Sequence, residues 1–178
     1  MEEFADTKGI IIDLRRRPSY SLHHALSRLI MEHPSPAAIL SFPNPAIPGS
    51  FYYLRMTSPI DADADWTNPD FYGNPIVLLM NERTMSMPEF NIMFLRVAPN
   101  VVVVGTNSIG ADGDVVEVPL PGGDILWYTN LGVFTPEYGQ TQRTGLYPDI
   151  RVERTIQGIT EGRDELIEAA IAHILDNS

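Results

Sequence analysis

Three uninterrupted apolar runs set the limits on what this chain can become. They are Ile10-Ile11-Ile12, closing on Asp13 and Leu14; Pro75-Ile76-Val77-Leu78-Leu79-Met80; and Val101-Val102-Val103-Val104, closing on Gly105. Each is short, rich in β-branched residues and bounded by polar or turn-forming ones, so each reads as a buried strand. Between and after them lie stretches with helical spacing. Leu22, Leu26, Ile30 and Met31 form one stripe over residues 20–31, and Phe90, Met93, Phe94 and Val97 another over residues 88–97. Leu166, Ala169, Ala170 and Ile174 form a third, on a final helix expected to start near Gly162. Strands alternating with helices predict an α/β layered domain with a mainly parallel sheet flanked by helices.

The remaining segments are less regular. Residues 34–50 carry Pro34, Pro36, Pro43, Pro45 and Pro48, which predicts a mostly extended stretch around a short strand at residues 38–40. Residues 51–56 read as another strand, and the polar residues 57–74 as a long loop. Residues 112–134 read as short strands or hairpins with a turn at Pro121-Gly122-Gly123, and residues 149–152 as a last short strand.

At 178 residues the chain fits one domain with a single substantial core, and 44% hydrophobic with 20% charged residues is ordinary for a globular protein. The net charge of −11 argues against non-specific nucleic-acid binding, which needs a positive footprint. No apolar run approaches the roughly 18 residues of a membrane span. The absence of cysteine excludes disulfides, thiolate catalysis and cysteine-based zinc sites. The N-terminal residues lack the layout of a signal peptide. A strand-like run starting at Lys8 with no opening element predicts a piece of a longer polypeptide.

Ser86 is the residue with the most chemistry in view. It follows the run ending at Met80 and precedes Pro88 and Glu89, which suit the first turn of a helix. It therefore sits among unpaired backbone N–H groups, where it either caps the helix or acts as a nucleophile beside an oxyanion site. Other motifs weigh less. Asp61-Ala62-Asp63-Ala64-Asp65 starts like a calcium loop, but Trp66 and Tyr72 stand where that loop needs Gly and Glu, so a solvated acidic loop and no metal site are expected. Asp112-Gly113-Asp114 reads as a tight turn. His23, His24 and His173 are expected on helix surfaces or half-buried. Arg15-Arg16-Arg17 reads either as a solvated turn or as a contact for a substrate carboxylate. No glycine loop for phosphate is present, and no cofactor is expected.

Taken together, four segments resemble the core of the C-terminal processing peptidases, also called tail-specific proteases. Lys8-Gly9-Ile10-Ile11-Ile12-Asp13-Leu14-Arg15 resembles the family strand that ends in Asp-Leu-Arg. Residues 75–90 resemble its strand, Asn, and Ser three residues before Glu at the head of a helix. Val103-Val104-Gly105 with Gly110 and Gly113 resembles the next strand and glycine loop, and Gly145 through Val152 its Gly-x-x-Pro-Asp strand. The resemblance implies a ClpP/crotonase-like layered fold and peptide-bond hydrolysis, with Ser86 as nucleophile and peptide or protein substrates. It also implies that the Met87 N–H and the segment around Ser19 and Tyr20 hold the oxyanion, and that Ser19, Tyr20, Gly110 and Ala111 lie along the substrate.

The departures from that pattern are specific. In the Ser/Lys branch of the family the base lysine falls on Ala111, which cannot take a proton. A second branch, similar to the tricorn core, uses a histidine from an upstream segment and an acid that falls on Gln142, which can orient a base without carrying charge. Arg17-Pro18-Ser19-Tyr20 stands where the family usually has Asn-Pro-Gly-Gly, whose glycines admit a close approach to the oxyanion. The expectation is thus a peptidase core over residues 1–178, closer to the lysine-free branch, whose base and partner domains come from upstream. Alone it is expected to be weakly active or inactive. The alternative is a non-catalytic peptide- or protein-binding module on the same fold. The family is commonly periplasmic or extracellular, and the sequence itself leaves the compartment open.

Overall fold

The structure is a computed structural model that describes residues 4, 6–16 and 20–178. In chain order the elements are β1 (Ile10–Asp13), α1 (Leu22–Ile30), β2 (Ser35–Pro43), β3 (Phe51–Ser58), β4 (Ile76–Met80), α2 (Met87–Leu95), β5 (Val101–Gly105), β6 (Val115–Pro119), β7 (Ile125–Thr129), β8 (Gly132–Phe134), β9 (Ile150–Arg151), α3 (Ile156–Glu161) and α4 (Glu165–Asn177). Strands β1, β4, β5 and β9 form a parallel sheet in that order. A second, antiparallel sheet has the order β3-β2-β8, and β6 with β7 makes a separate hairpin.

The three apolar runs are continuous because the parallel sheet is covered on both faces. Alternate residues of β4 serve different cores. Ile76, Leu78 and Met80 pack with Ile92, Phe94 and Leu95 of α2, while Val77 and Leu79 pack with Leu166, Ala170 and Ile174 of α4. Helix α2 also touches β2 and β3, so it lies between the two sheets. That placement explains its composition, since a helix that is apolar nearly all round must be buried. Full burial of Ile92, Phe94 and Leu95 contributes about 1.5–3 kcal/mol each. The register of β4 against β5 pairs Met80 with Gly105 and brings the two loops that follow side by side. Gly105 is needed there, since a Cβ at its φ of +137° would collide with the Met80 carbonyl oxygen.

Two expectations need correction, and one helix is added to them. The proline-rich stretch forms a nine-residue strand, β2, rather than a short one. Its pairing with β3 shifts register between Pro36 and Ala38, and Pro43 closes the strand, so neither proline breaks the middle of the ladder. The final helix, α4, begins close to where it was expected, and a short helix that was not expected, α3, precedes it. Gly162 ends α3 in a left-handed conformation (φ 70°), and Asp164 caps α4, its carboxylate accepting the Ile167 N–H. That same carboxylate pairs with Arg15 at 2.8 Å, and Arg15 also holds Asp13 at 2.7 Å. Arg15 therefore ties the end of β1 to α4, whereas Arg17 lies outside the described residues. Among the described residues no helix is long and apolar enough to cross a membrane.

Candidate active site

The chain leaves β4 at Met80 and turns through residues 81–86 into α2. Thr84 secures this turn: it is buried, its hydroxyl donates to the Leu14 carbonyl at 3.1 Å and accepts the Asn81 N–H at 3.0 Å. The turn ends at Ser86, half-buried, with φ 64° and ψ −123°. A non-glycine residue at positive φ is strained by about 1–3 kcal/mol and persists only where its surroundings hold it. Ser86 occupies the N-cap position of α2 in a capping-box arrangement with Glu89. The Glu89 N–H donates to the Ser86 carbonyl oxygen at 2.7 Å, and the Glu89 carboxylate takes the Ser86 N–H in return.

The restraint on Ser86 is the Glu89 carboxylate, buried to 1% exposure. Its Oε2 accepts the Ser86 N–H at 2.9 Å and the Ala111 N–H at 3.1 Å. Its Oε1 accepts the Gly110 N–H at 2.9 Å and the Ser108 hydroxyl at 2.5 Å. One side chain thus joins the Ser86 turn to the loop after β5. A carboxylate in an otherwise apolar helix is a signal of such pairing, because an unpaired one is too costly to bury. Sequence reasoning placed Glu89 only at the helix dipole and missed this role.

The proposed site residues fall into three groups. Ser86, Gly110 and Ala111 are brought together through Glu89, with the two loop N–H groups facing that carboxylate. Met87 and Tyr20 are linked to this turn only through neighbouring residues. The Ser21 hydroxyl lies 3.7 Å from the Met87 sulfur, and Asn91 Nδ2 donates to the Tyr20 carbonyl at 3.1 Å. Among the described residues no acceptor takes the Met87 N–H. The Tyr20 ring is 73% exposed, and Ser19 lies outside the described residues. Gln142 stands apart. Its Nε2 donates to the carbonyls of Asp112 (2.8 Å) and Leu131 (2.9 Å), and its Oε1 accepts the Val133 N–H at 3.4 Å. Both ends of that amide are engaged in fixing backbone.

Two titratable groups lie nearby. His23 is 2% exposed, a correction to the surface or half-buried position expected for it, whereas His24 is exposed and His173 half-buried. His23 Nδ1 lies 2.7 Å from Asn91 Oδ1, its ring packs on Phe90 and Phe94, and burial lowers its pKa. Asp112 follows Ala111 and is 7% exposed; burial raises its pKa to about 7. Among the described residues no cluster of three potential metal ligands occurs, and no histidine, lysine or carboxylate side chain hydrogen-bonds the Ser86 hydroxyl. A cavity of about 600 Å³ opens at the C-terminal ends of the parallel strands, lined by Asp13, Arg16, Arg83, Arg154 and others but not by Ser86 or the loop after β5.

The sequence model of peptidase family S41 matches residues 1–152. Among solved structures, a candidate peptidase from Parabacteroides merdae is 25% identical, with 98% of this chain and 54% of that chain covered and a TM-score of 0.80. Mature CPAF complexed with lactacystin is 15% identical over 99% of this chain and 46% of that chain, with a TM-score of 0.76. The tricorn protease is 17% identical over 95% of this chain and 15% of that chain, with a TM-score of 0.63. The chain therefore spans about half the length of the first two. No curated protein matches the sequence.

Proposed function

The chain belongs to peptidase family S41, and from that membership we propose that it is the catalytic core of a serine peptidase whose general base comes from polypeptide outside these 178 residues. In this reading the Ser86 hydroxyl attacks the carbonyl carbon of a peptide substrate and gives its proton to that base. The oxyanion so formed takes the Met87 N–H and a donor from the segment around Ser19 and Tyr20. The same base returns the proton to the leaving amine, and water then hydrolyses the acyl-Ser86 ester. Ser86, Met87, Ser19 and Tyr20 carry the chemistry, Gly110 and Ala111 border the substrate, and Gln142 orients the base through the loop it holds.

The observation that supports this most is the Ser86 turn. The serine is held at positive φ where a strand hands over to a helix N-terminus, with an unclaimed N–H beside it, a strained turn that suits an attacking hydroxyl and that capping alone does not require. Ala111 and the engaged Gln142 side chain support the further reading that these 178 residues alone turn over little or no substrate. A fluorophosphonate probe tests both. Little labelling is expected on the 178-residue chain. Labelling at Ser86 is expected in a polypeptide that also carries an upstream base, and not in its Ser86→Ala variant. Failure to label in that longer polypeptide favours the other reading, a peptide- or protein-binding module that keeps the peptidase fold.

A further inference from the structure

Asp112 is a second carboxyl behind Ser86, and the protein surrounds it quite differently from Glu89. Its Oδ1 accepts the Gly113 N–H at 2.7 Å, while its Oδ2 is buried without a hydrogen-bond partner. On the neighbouring segment Asn130, whose N–H donates to the Asp114 carbonyl at 3.3 Å, also has its Oδ1 buried and unpartnered. Both bare atoms are acceptors. Protonation would turn the bare Asp112 oxygen from an unpaired acceptor into a hydroxyl donor.

The charges facing it work in the same direction. Glu89 approaches from α2 and Asp114 stands on the same segment, both negative. Residues 129–131 bring no charge, and the 140–145 segment brings only Arg143, which is exposed. The Asp112 backbone is pinned on both sides, its carbonyl by Gln142 and the preceding Ala111 N–H by Glu89. An ionised Asp112 would therefore sit beside the charges of Glu89 and Asp114 with one donor of its own. The loop it sits on is the loop that supplies three of the four donors to Glu89.

We infer that Asp112 is a positioning residue for the Ser86 turn, and that its proton decides whether the 108–113 loop stays seated on Glu89. With the carboxyl protonated, the loop is closed and Glu89 holds Ser86 at positive φ. With the carboxylate ionised, the loop lifts and takes the Gly110 and Ala111 N–H groups off Glu89, leaving the carboxylate that restrains Ser86 with two fewer donors to hold it in place. Burial first, and the charges of Glu89 and Asp114 after it, raise this carboxyl to about 7, so the closed loop is progressively disfavoured from about pH 4 up to neutral pH. The inference holds whether or not Ser86 acts as a nucleophile.

Amide hydrogen exchange of Gly110 and Ala111, corrected for intrinsic rates, tests it between about pH 3 and pH 9, alongside carbon NMR titration of the Asp112 carboxyl. The expected result is a flat opening population below about pH 4, a rise approaching tenfold per pH unit between about pH 4 and pH 7, and a plateau above, with Val77 and Leu79 of β4 unchanged. Asp112→Asn, which keeps the shape without the charge, is expected to remove the rise. An Asp112 titration near the ordinary value of about 4 would overturn the inference. So would a rise that survives in Asp112→Asn, or one shared equally by β4, which would mean global unfolding. Should Asp112→Asn not fold, the wild-type exchange profile and the carboxyl titration still decide.

Discussion

Glu89 and Asp112 lie on the two segments that meet behind Ser86, with 1% and 7% of their surfaces exposed. Four donors converge on the first, and one N–H reaches the second. Depth alone does not fix what a buried carboxyl does; the number of donors around it does. Glu89 works as a clamp because its acceptors are all used. Asp112 sits in the same junction with an oxygen to spare, so a proton is the partner it can most readily gain.

The sharpest way to break this comparison is to remove the clamp. Glu89→Ala leaves the N–H groups of Ser86, Gly110 and Ala111 and the Ser108 hydroxyl without an acceptor. Each stranded buried donor costs about 1–3 kcal/mol, and water entering the hole recovers part, so a net loss of about 3–5 kcal/mol is expected in denaturant unfolding. A loss under about 1 kcal/mol would mean that the four bonds are not what holds the turn.

The same chemical change at Asp112 should have the opposite sign. A carboxyl whose folded pKa is raised from 3.8 to about 7 contributes stability that is fully present below the unfolded value and is lost as pH rises through the folded one. Between about pH 4 and pH 8 that loss is about 2–4 kcal/mol, and Asp112→Asn is expected to escape it. His23 runs the other way. Its lowered pKa gives stability present above the ordinary histidine value and lost as pH falls through its folded one. The two windows overlap, so it is the difference between wild type and Asp112→Asn, measured by urea unfolding at several pH values, that isolates the carboxyl. Equal profiles for the two proteins would remove Asp112 from the account.

How much of this was legible beforehand follows from where each signal resides. Strands β1, β4 and β5 announce themselves because burial on both faces demands continuous apolar residues, and the α1 stripe because burial on one side demands spacing. Strand β2 was read too short because Pro36 and Pro43 look like breakers, although they stand where the ladder is already shifted or closing. Helix α3 has Ile156 and Ile159 exposed and carries no stripe to find. At the site, the positions of Ser86, Met87 and Gly110 were legible through the family pattern. The Glu89 bonds were not, because Ser108, Gly110 and Ala111 reach it only through the pairing of Met80 with Gly105. Asp112 looked like an ordinary turn residue, since nothing local in Asp112-Gly113-Asp114 says that it is buried.

A smaller effect is expected from crowding the loop that Glu89 clamps. Gly110 has φ +76°, and a Cβ there would lie 2.6 Å from the Gly145 nitrogen and 3.0 Å from those of Arg143 and Thr144. Gly110→Ala is expected to cost about 1–3 kcal/mol. It should also speed exchange of the Ala111 amide more than that of β4. If β4 exchange rises equally, the loop and the sheet open together, and the separate treatment of the 108–113 loop fails.

The smallest effect belongs to Ser86 itself and tests whether the clamp holds strain. At φ 64° and ψ −123° a glycine is at ease where a serine is not. Ser86→Gly is therefore expected to be more stable than Ser86→Ala by roughly 1 kcal/mol, although glycine normally destabilises an ordered backbone by about that amount. Both variants lose the hydroxyl, so comparing them isolates the backbone. In Glu89→Gln, where the pull on the Ser86 N–H is weakened, the advantage of glycine should shrink as the turn relaxes toward negative φ. If glycine is no better than alanine in either background, Ser86 is not strained and the clamp only joins two loops. If the advantage persists undiminished without the Glu89 carboxylate, the strain is held from the other side, by Thr84 and the end of β1.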